Sequence, residues 1–270
     1  TGRTVYNMSL GGYGPAEYLY LMENEALKLH PQLILVGFYL GNDLMDSFTA
    51  VYSIDYWKDM RKPGFGSPSG DEDTDGDDFS YGIGDWLAGH SVLYRLVSSS
   101  FIGDNLRQAR RLKRGEEIVM LEDEKSGIDT GFTPAQRLKG LDIGRAEVRE
   151  GLALSLAFFD RMNELARKNN VTFIVVIIPT KESVFARYIG GNKSLPASDK
   201  IDYLLRNERE ADAEIRRYFD EHGIRYVDAL GPLSLSAGKE QIYPNNFGGH
   251  ENRNGYRVIA GAVKEYLDGN

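Results

Sequence analysis

Two runs, Gln32–Leu40 and Val171–Ile178, are apolar almost from end to end. A strand with one wet face alternates apolar and polar residues, whereas a strand covered on both faces does not, so both runs read as parallel strands between helical layers. The segments around them fit that reading. A helix is expected from about Ala16 to His30, with Pro15 near its first turn and Pro31 closing it. A long amphipathic helix is expected from about Ile143 to Lys168, then a short helix after Pro179 and a charged helix from about Lys200 to His222. The strand Ile224–Val227 and a helix from about Asn254 to Leu267 complete the pattern. Val5–Leu10 also reads as a short buried strand. Strands alternating with helices imply an α/β fold, a doubly wound parallel sheet.

From about Asp46 to Gly140 the alternation stops. Aromatic, Gly, Pro and acidic residues mix through Asp78, a helical stretch runs from about Gly84 to Arg114, and Glu116–Phe132 reads as a hairpin or loop. No repeat is evident, so residues 46–140 are expected to be an insertion or cap within a single domain spanning 1–270. That length, at 41% hydrophobic and 27% charged residues, suffices to bury one large core. A net charge of −8 argues against nucleic acid or an anionic membrane as the main partner. The local basic run Arg107–Arg114 reads as a solvated helix end. The absence of cysteine excludes disulfides and thiolate zinc sites. No apolar run reaches the ~20 residues that span a bilayer. Asp71–Gly76 repeats the opening of a calcium loop, but Gly82 stands where the bidentate glutamate belongs. It reads as a solvated acidic loop, and neither a metal nor a cofactor is expected.

The chemistry-bearing residues fall at strand ends, where doubly wound sheets place their ligands. Gly11-Gly12-Tyr13-Gly14 follows the first expected strand and Gly41-Asn42-Asp43 the second. A lone glycine turn often does no more than permit a positive φ, and an Asn after a strand often caps the turn. Among the four histidines, His30 and His222 lie near helix C-termini and His90 in the inserted region, whereas His250 opens His250-Glu251-Asn252-Arg253-Asn254-Gly255-Tyr256 ahead of a helix with an apolar face.

Together, Asn7–Gly14, Gly41–Asp43 and His250–Tyr256 resemble three of the four sequence blocks of the SGNH (GDSL-type) hydrolases. The resemblance covers about Val5–Ser47 and Val171–Leu267. It implies a flavodoxin-like sheet and serine esterase chemistry, with His250 as general base and the Gly12 backbone N–H and Asn42 side chain as oxyanion donors. Tyr13, Asp43 and Asn252 are implied to flank the substrate. Pro179-Thr180-Lys181 is similar to a turn in alginate-type O-acetyltransferases, which points to acyl groups on envelope carbohydrates and an exported or periplasmic location; a plain helix start with Thr180 as cap is the other reading.

Two parts of the family pattern are missing. No Gly-Asp-Ser tripeptide occurs in the 270 residues, and the positions that carry the orienting aspartate hold Phe247 and Gly248. Glu251, Asp228 and Asn246 are the alternatives for that orienting role. Ser9, Ser47, Ser91 and Ser183 have no strong context as nucleophiles. In the family sheet the nucleophile strand lies between the strands ending near Leu10 and Leu40, so an upstream segment or another copy is expected to fill that gap. Direct pairing of those two strands would remove Gly12 from the oxyanion hole. The expected functions are a carbohydrate esterase or deacetylase, a polysaccharide O-acetyltransferase, or a catalytically silent glycan- or protein-binding module, with self-association allowed.

Overall fold

Every buried side chain of the strand Thr172–Ile178 meets one of two separate apolar clusters, in strict alternation. The computed structural model describes residues 4–66, 68, 118–123, 126–191 and 198–269. In chain order these form helix α1 (Pro15–Asn24), a 3-10 turn (Ala26–Leu29), β1 (Leu33–Tyr39), α2 (Asp43–Ser53) and a second 3-10 turn (Asp55–Met60). The hairpin β2 (Val119–Asp123) and β3 (Ile128–Phe132) leads to α3 (Pro134–Leu141), α4 (Ala146–Lys168) and β4 (Thr172–Ile178). Two short helices, α5 (Lys181–Val184) and α6 (Ala186–Gly191), precede α7 (Asp199–His222), β5 (Arg225–Asp228), α8 (Leu230–Ser236) and α9 (Arg253–Gly269). The acidic loop Asp71–Gly76, the expected helix Gly84–Arg114 with its basic run, His90 and Ser91 lie outside the described residues.

The fold is mixed α/β around a small parallel sheet ordered β1-β4-β5. Phe173, Val175 and Ile177 face the first cluster with Phe38, against α1, α2 and α4. Ile174 and Val176 face the second, with Val227, the β2-β3 hairpin, α8 and α9. Withdrawing each of these side chains from water is worth roughly 2 kcal/mol, and coverage on both faces is why the run carries no polar alternation. α7 feeds both clusters, Leu204, Ala211, Ile215 and Phe219 to one and Ile201 and Leu205 to the other. Residues of the span read as inserted also enter the first cluster: Phe48, Val51 and Tyr52 of α2, and Trp57 of the second 3-10 turn. The α2–α4 crossing depends on Gly151, where a Cβ would stand 2.0 Å from the Leu44 carbonyl oxygen.

The expected strand Val5–Leu10 does not form. Its backbone is unpaired with any strand, and Val5, Tyr6 and Leu10 are 81%, 67% and 61% exposed. An apolar pattern makes a strand only when a neighbour takes its N–H and C=O groups, and no strand among the described residues does so. It is therefore not paired with β1 either. β1 has β4 on one side and, among the described residues, no strand on the other. The Leu40 N–H donates to Ile178 and the Gln32 carbonyl accepts from Thr172, so the even-numbered residues face β4. Leu33, Leu35, Gly37 and Tyr39 consequently direct their backbone groups outward. Leu35 is 45% exposed. Among the described residues no helix is long and apolar enough to cross a membrane.

Candidate functional site

The carboxyl end of β1 gathers the three motifs. After Leu10 the chain turns, with Tyr13 N–H donating to the Leu10 carbonyl at 3.3 Å and Gly12 at φ 80°, a left-handed geometry that favours glycine. Pro15 starts α1, and the Glu17 carboxylate accepts from the Gly14 N–H at 3.1 Å, tying the turn to the first helical residues. One turn further on, the Tyr18 hydroxyl reaches the Tyr13 carbonyl at 2.8 Å and the Asp43 carboxylate at 3.3 Å. The Gly-rich turn is thereby fastened to the Gly41-Asn42-Asp43 turn.

Asp43 is buried, and its Oδ2 also accepts the outward-facing Tyr39 N–H at 2.9 Å. Burial raises its carboxyl well above the usual aspartate range, against the two hydrogen bonds that lower it. Its carboxylate thus faces the protein backbone. Asn42 stands at the start of α2 and donates its amide N–H to Asp46 at 2.8 Å, leaving its Oδ1 buried without a hydrogen bond. One of the two N–H groups of the amide implied as an oxyanion donor is therefore engaged inside the protein.

His250 arrives from the far end of the chain. Its ring lies 4.7 Å from the Tyr39 ring, centroid to centroid, and the Tyr39 hydroxyl donates to the Gly249 carbonyl at 3.2 Å. Gly249 is needed for that approach, because a Cβ there would stand 2.4 Å from the Tyr39 hydroxyl. Burial pushes the Tyr39 phenol pKa upward, so it remains a donor. His250 itself is exposed. Asn252 holds the start of α9: its Oδ1 accepts from the Asn254 and Gly255 N–H groups at 2.8 and 3.2 Å, and its amide donates to the Gln241 carbonyl at 2.8 Å.

The alternatives for the orienting acid are distributed as follows. Asp228 accepts from the Leu230 N–H and pairs with Arg216 at 3.0 Å. The Asn246 side chain accepts from the Gly248 N–H at 2.8 Å. Glu251 is buried, accepts from the Tyr243 hydroxyl at 3.0 Å, and has its Oε2 without a hydrogen bond; burial raises its pKa. Among the serines, Ser9 donates to Asn7 at 2.5 Å, the buried Ser47 accepts from Ser155 at 2.8 Å, and Ser183 donates to Glu208 at 2.5 Å.

Beneath the His250 loop is a buried polar layer that sequence reading passed over. Thr180 caps α5, accepting from the Ser183 N–H at 3.3 Å, as the plain helix-start reading expects. Glu208 accepts from the Thr180 N–H at 2.7 Å and from the Thr180 and Ser183 hydroxyls. Burial lifts its pKa to about 7 despite those donors. The signal for Glu208 was its place on the apolar stripe of α7 between Leu204 and Ala211, where a carboxylate needs a partner. Tyr18 and Tyr39, which join the motifs, carry no comparable signal, since a tyrosine in an apolar run reads as core. Among the described residues no group of three or more His, Asp or Glu side chains could hold a metal ion. Neither a scan of protein-family models nor searches of curated proteins and of solved structures return a match.

Proposed function

We propose that this chain is the larger part of an SGNH-like acyl-ester hydrolase, a flavodoxin-like fold acting on acylated carbohydrate, with His250 as general base. The observation that carries the reading is the convergence of three distant segments on the end of β1: Tyr18 links Tyr13 to Asp43, Asp43 holds the Tyr39 N–H, and Tyr39 lies against His250. Chance alone gives no reason for three motifs spread over more than two hundred positions to meet at one strand end, the place where open α/β sheets bind ligands. In this reading the nucleophilic serine rides on a further strand laid along the open edge of β1, supplied by an upstream segment or another copy. Gly12 N–H and the Asn42 amide N–H that is not bonded to Asp46 would stabilise the oxyanion. An acyl transferase would use the same groups with a sugar hydroxyl in place of water, and an exported setting suits either substrate.

A second reading, a silent glycan-binding module, is favoured by the Asn42–Asp46 bond and by Phe247 and Gly248 at the acid positions. Acetate release from an acetylated sugar by the full-length protein separates the readings. Hydrolysis is expected, with Asn42→Ala lowering kcat by roughly 10²-fold and His250→Ala by more. No release with or without a sugar acceptor would leave the binding module. Equal turnover in parent and variants would place the chemistry elsewhere.

A further inference from the structure

Lys181 is 1% exposed, among the largest fully buried side chains of the protein. An ammonium group is costly to bury unless it is well partnered, and methionine or leucine would fill the same space without that cost. Its Nζ donates to the Asn246 carbonyl at 2.8 Å and lies over the rings of Phe132 and Tyr243, 5.7 and 6.0 Å from their centroids. The same carbonyl accepts from the Gly131 N–H at 3.3 Å. Behind Lys181, Glu208 fixes the turn through Thr180 and Ser183, so the lysine stem leaves a rigid base.

Asn246 stands four positions before His250, and the intervening residues are pinned in turn. The Phe247 ring fills the space a side chain at Gly131 would need, and Gly249 receives the Tyr39 hydroxyl. The positions from which a carboxylate would orient the imidazole are Phe247 and Gly248. The backbone bonds of the 246–250 loop set where His250 stands beside the Tyr39 ring.

We infer that Lys181 is a positioning residue for His250, holding the 246–250 loop by its bond to the Asn246 carbonyl. This rests on the hydrolase reading for its catalytic meaning, while the positional claim stands on the loop alone. Lys181→Met and Lys181→Arg are compared in the full-length protein by amide hydrogen exchange and by steady-state acetate release. Lys181→Met is expected to speed exchange at residues 246–250 by at least about tenfold and to lower kcat about 10- to 10²-fold, with KM within about twofold. Lys181→Arg, which keeps the cation, is expected to retain most of both. Lys181→Gln replaces the Met variant if that does not fold. Parent-like exchange in the uncharged variants, or equal loss in the Arg variant, would overturn the inference. A parent protein without hydrolysis would remove the hydrolase reading, and the exchange data would still decide on Lys181.

Discussion

The two halves of the candidate site are built to different standards. The Gly12 side hangs on one helix: among the described residues no strand pairs with residues 4–10, which are exposed apart from the half-buried Met8, and the Tyr18 hydroxyl bonds the turn to α2. The His250 side is held from every direction. Tyr39, Lys181 and Gly131 each bond to the segment 243–251 from outside it, Tyr243 bonds across it to Glu251, and Asn252 closes it onto Gln241. Similar sequence signals, glycines and an amide residue beside a regular element, thus produce a loose arm in one place and a locked loop in the other. What differs is whether neighbouring elements offer buried partners for the backbone.

Hydrogen exchange gives the widest test of that contrast. Amides of residues 5–10 are expected to exchange near the unprotected rate and those of the 242–252 loop at least about 10³-fold more slowly, a gap of about 4 kcal/mol in local opening. Comparable protection in the two segments would break the comparison. Glycine substitutions probe it next. At Gly255 a Cβ would stand 2.5 Å from the Ile242 carbonyl oxygen and 2.6 Å from the Glu251 Cβ, so Gly255→Ala is expected to cost about 3 kcal/mol in urea unfolding. Gly12→Ala meets the strain of φ 80° and is expected to cost about 1 kcal/mol. A larger loss at Gly12 would reverse the ranking of the two halves.

The smallest effect is a dependence on pH. Glu208, raised from 4.5 to about 7 by burial, binds a proton in the folded protein that the unfolded chain releases. The stabilisation is fully present below about pH 4.5 and is lost as the pH rises through about 7, at no more than about 1.4 kcal/mol per pH unit. Glu208→Gln is expected to flatten that slope. Asp43, Glu17 and Glu251 are raised too and give slopes of the same sign, but they are common to both proteins. The difference between the two urea-midpoint profiles therefore reports Glu208, and parallel profiles would show that its proton is not linked to folding.

These contrasts mark what could be read from the residues. β1, β4, α4 and α7 were legible because their apolar periodicity records coverage that their own neighbours supply. Val5–Leu10 carries an apolar pattern of the same kind and forms no strand, because pattern states what a segment would bury and not whether a partner is present. Asn42, Gly12 and His250 were found through motif and placement. Their connections were not, since Tyr18, Tyr39 and Glu208 act through long-range hydrogen bonds that leave no period in the sequence. The Asn42–Asp46 bond is a local one, four residues apart, yet it concerns which of two partners an amide chooses. Spacing is silent on that.

Asp43 also acts as a stop mark on the sheet. Along the outer side of β1 no strand among the described residues takes the backbone groups of Leu33, Leu35 and Gly37, and the next donor, the Tyr39 N–H, is already occupied by the Asp43 carboxylate. A strand laid against that edge finds its last outward N–H at Gly37, and beyond it only the Tyr39 carbonyl. Donation from β1 thus ends one step before the strand does, beside the turn that bears Asn42 and the ring that faces His250. The carboxylate sets the last point at which β1 can donate to whatever joins the sheet.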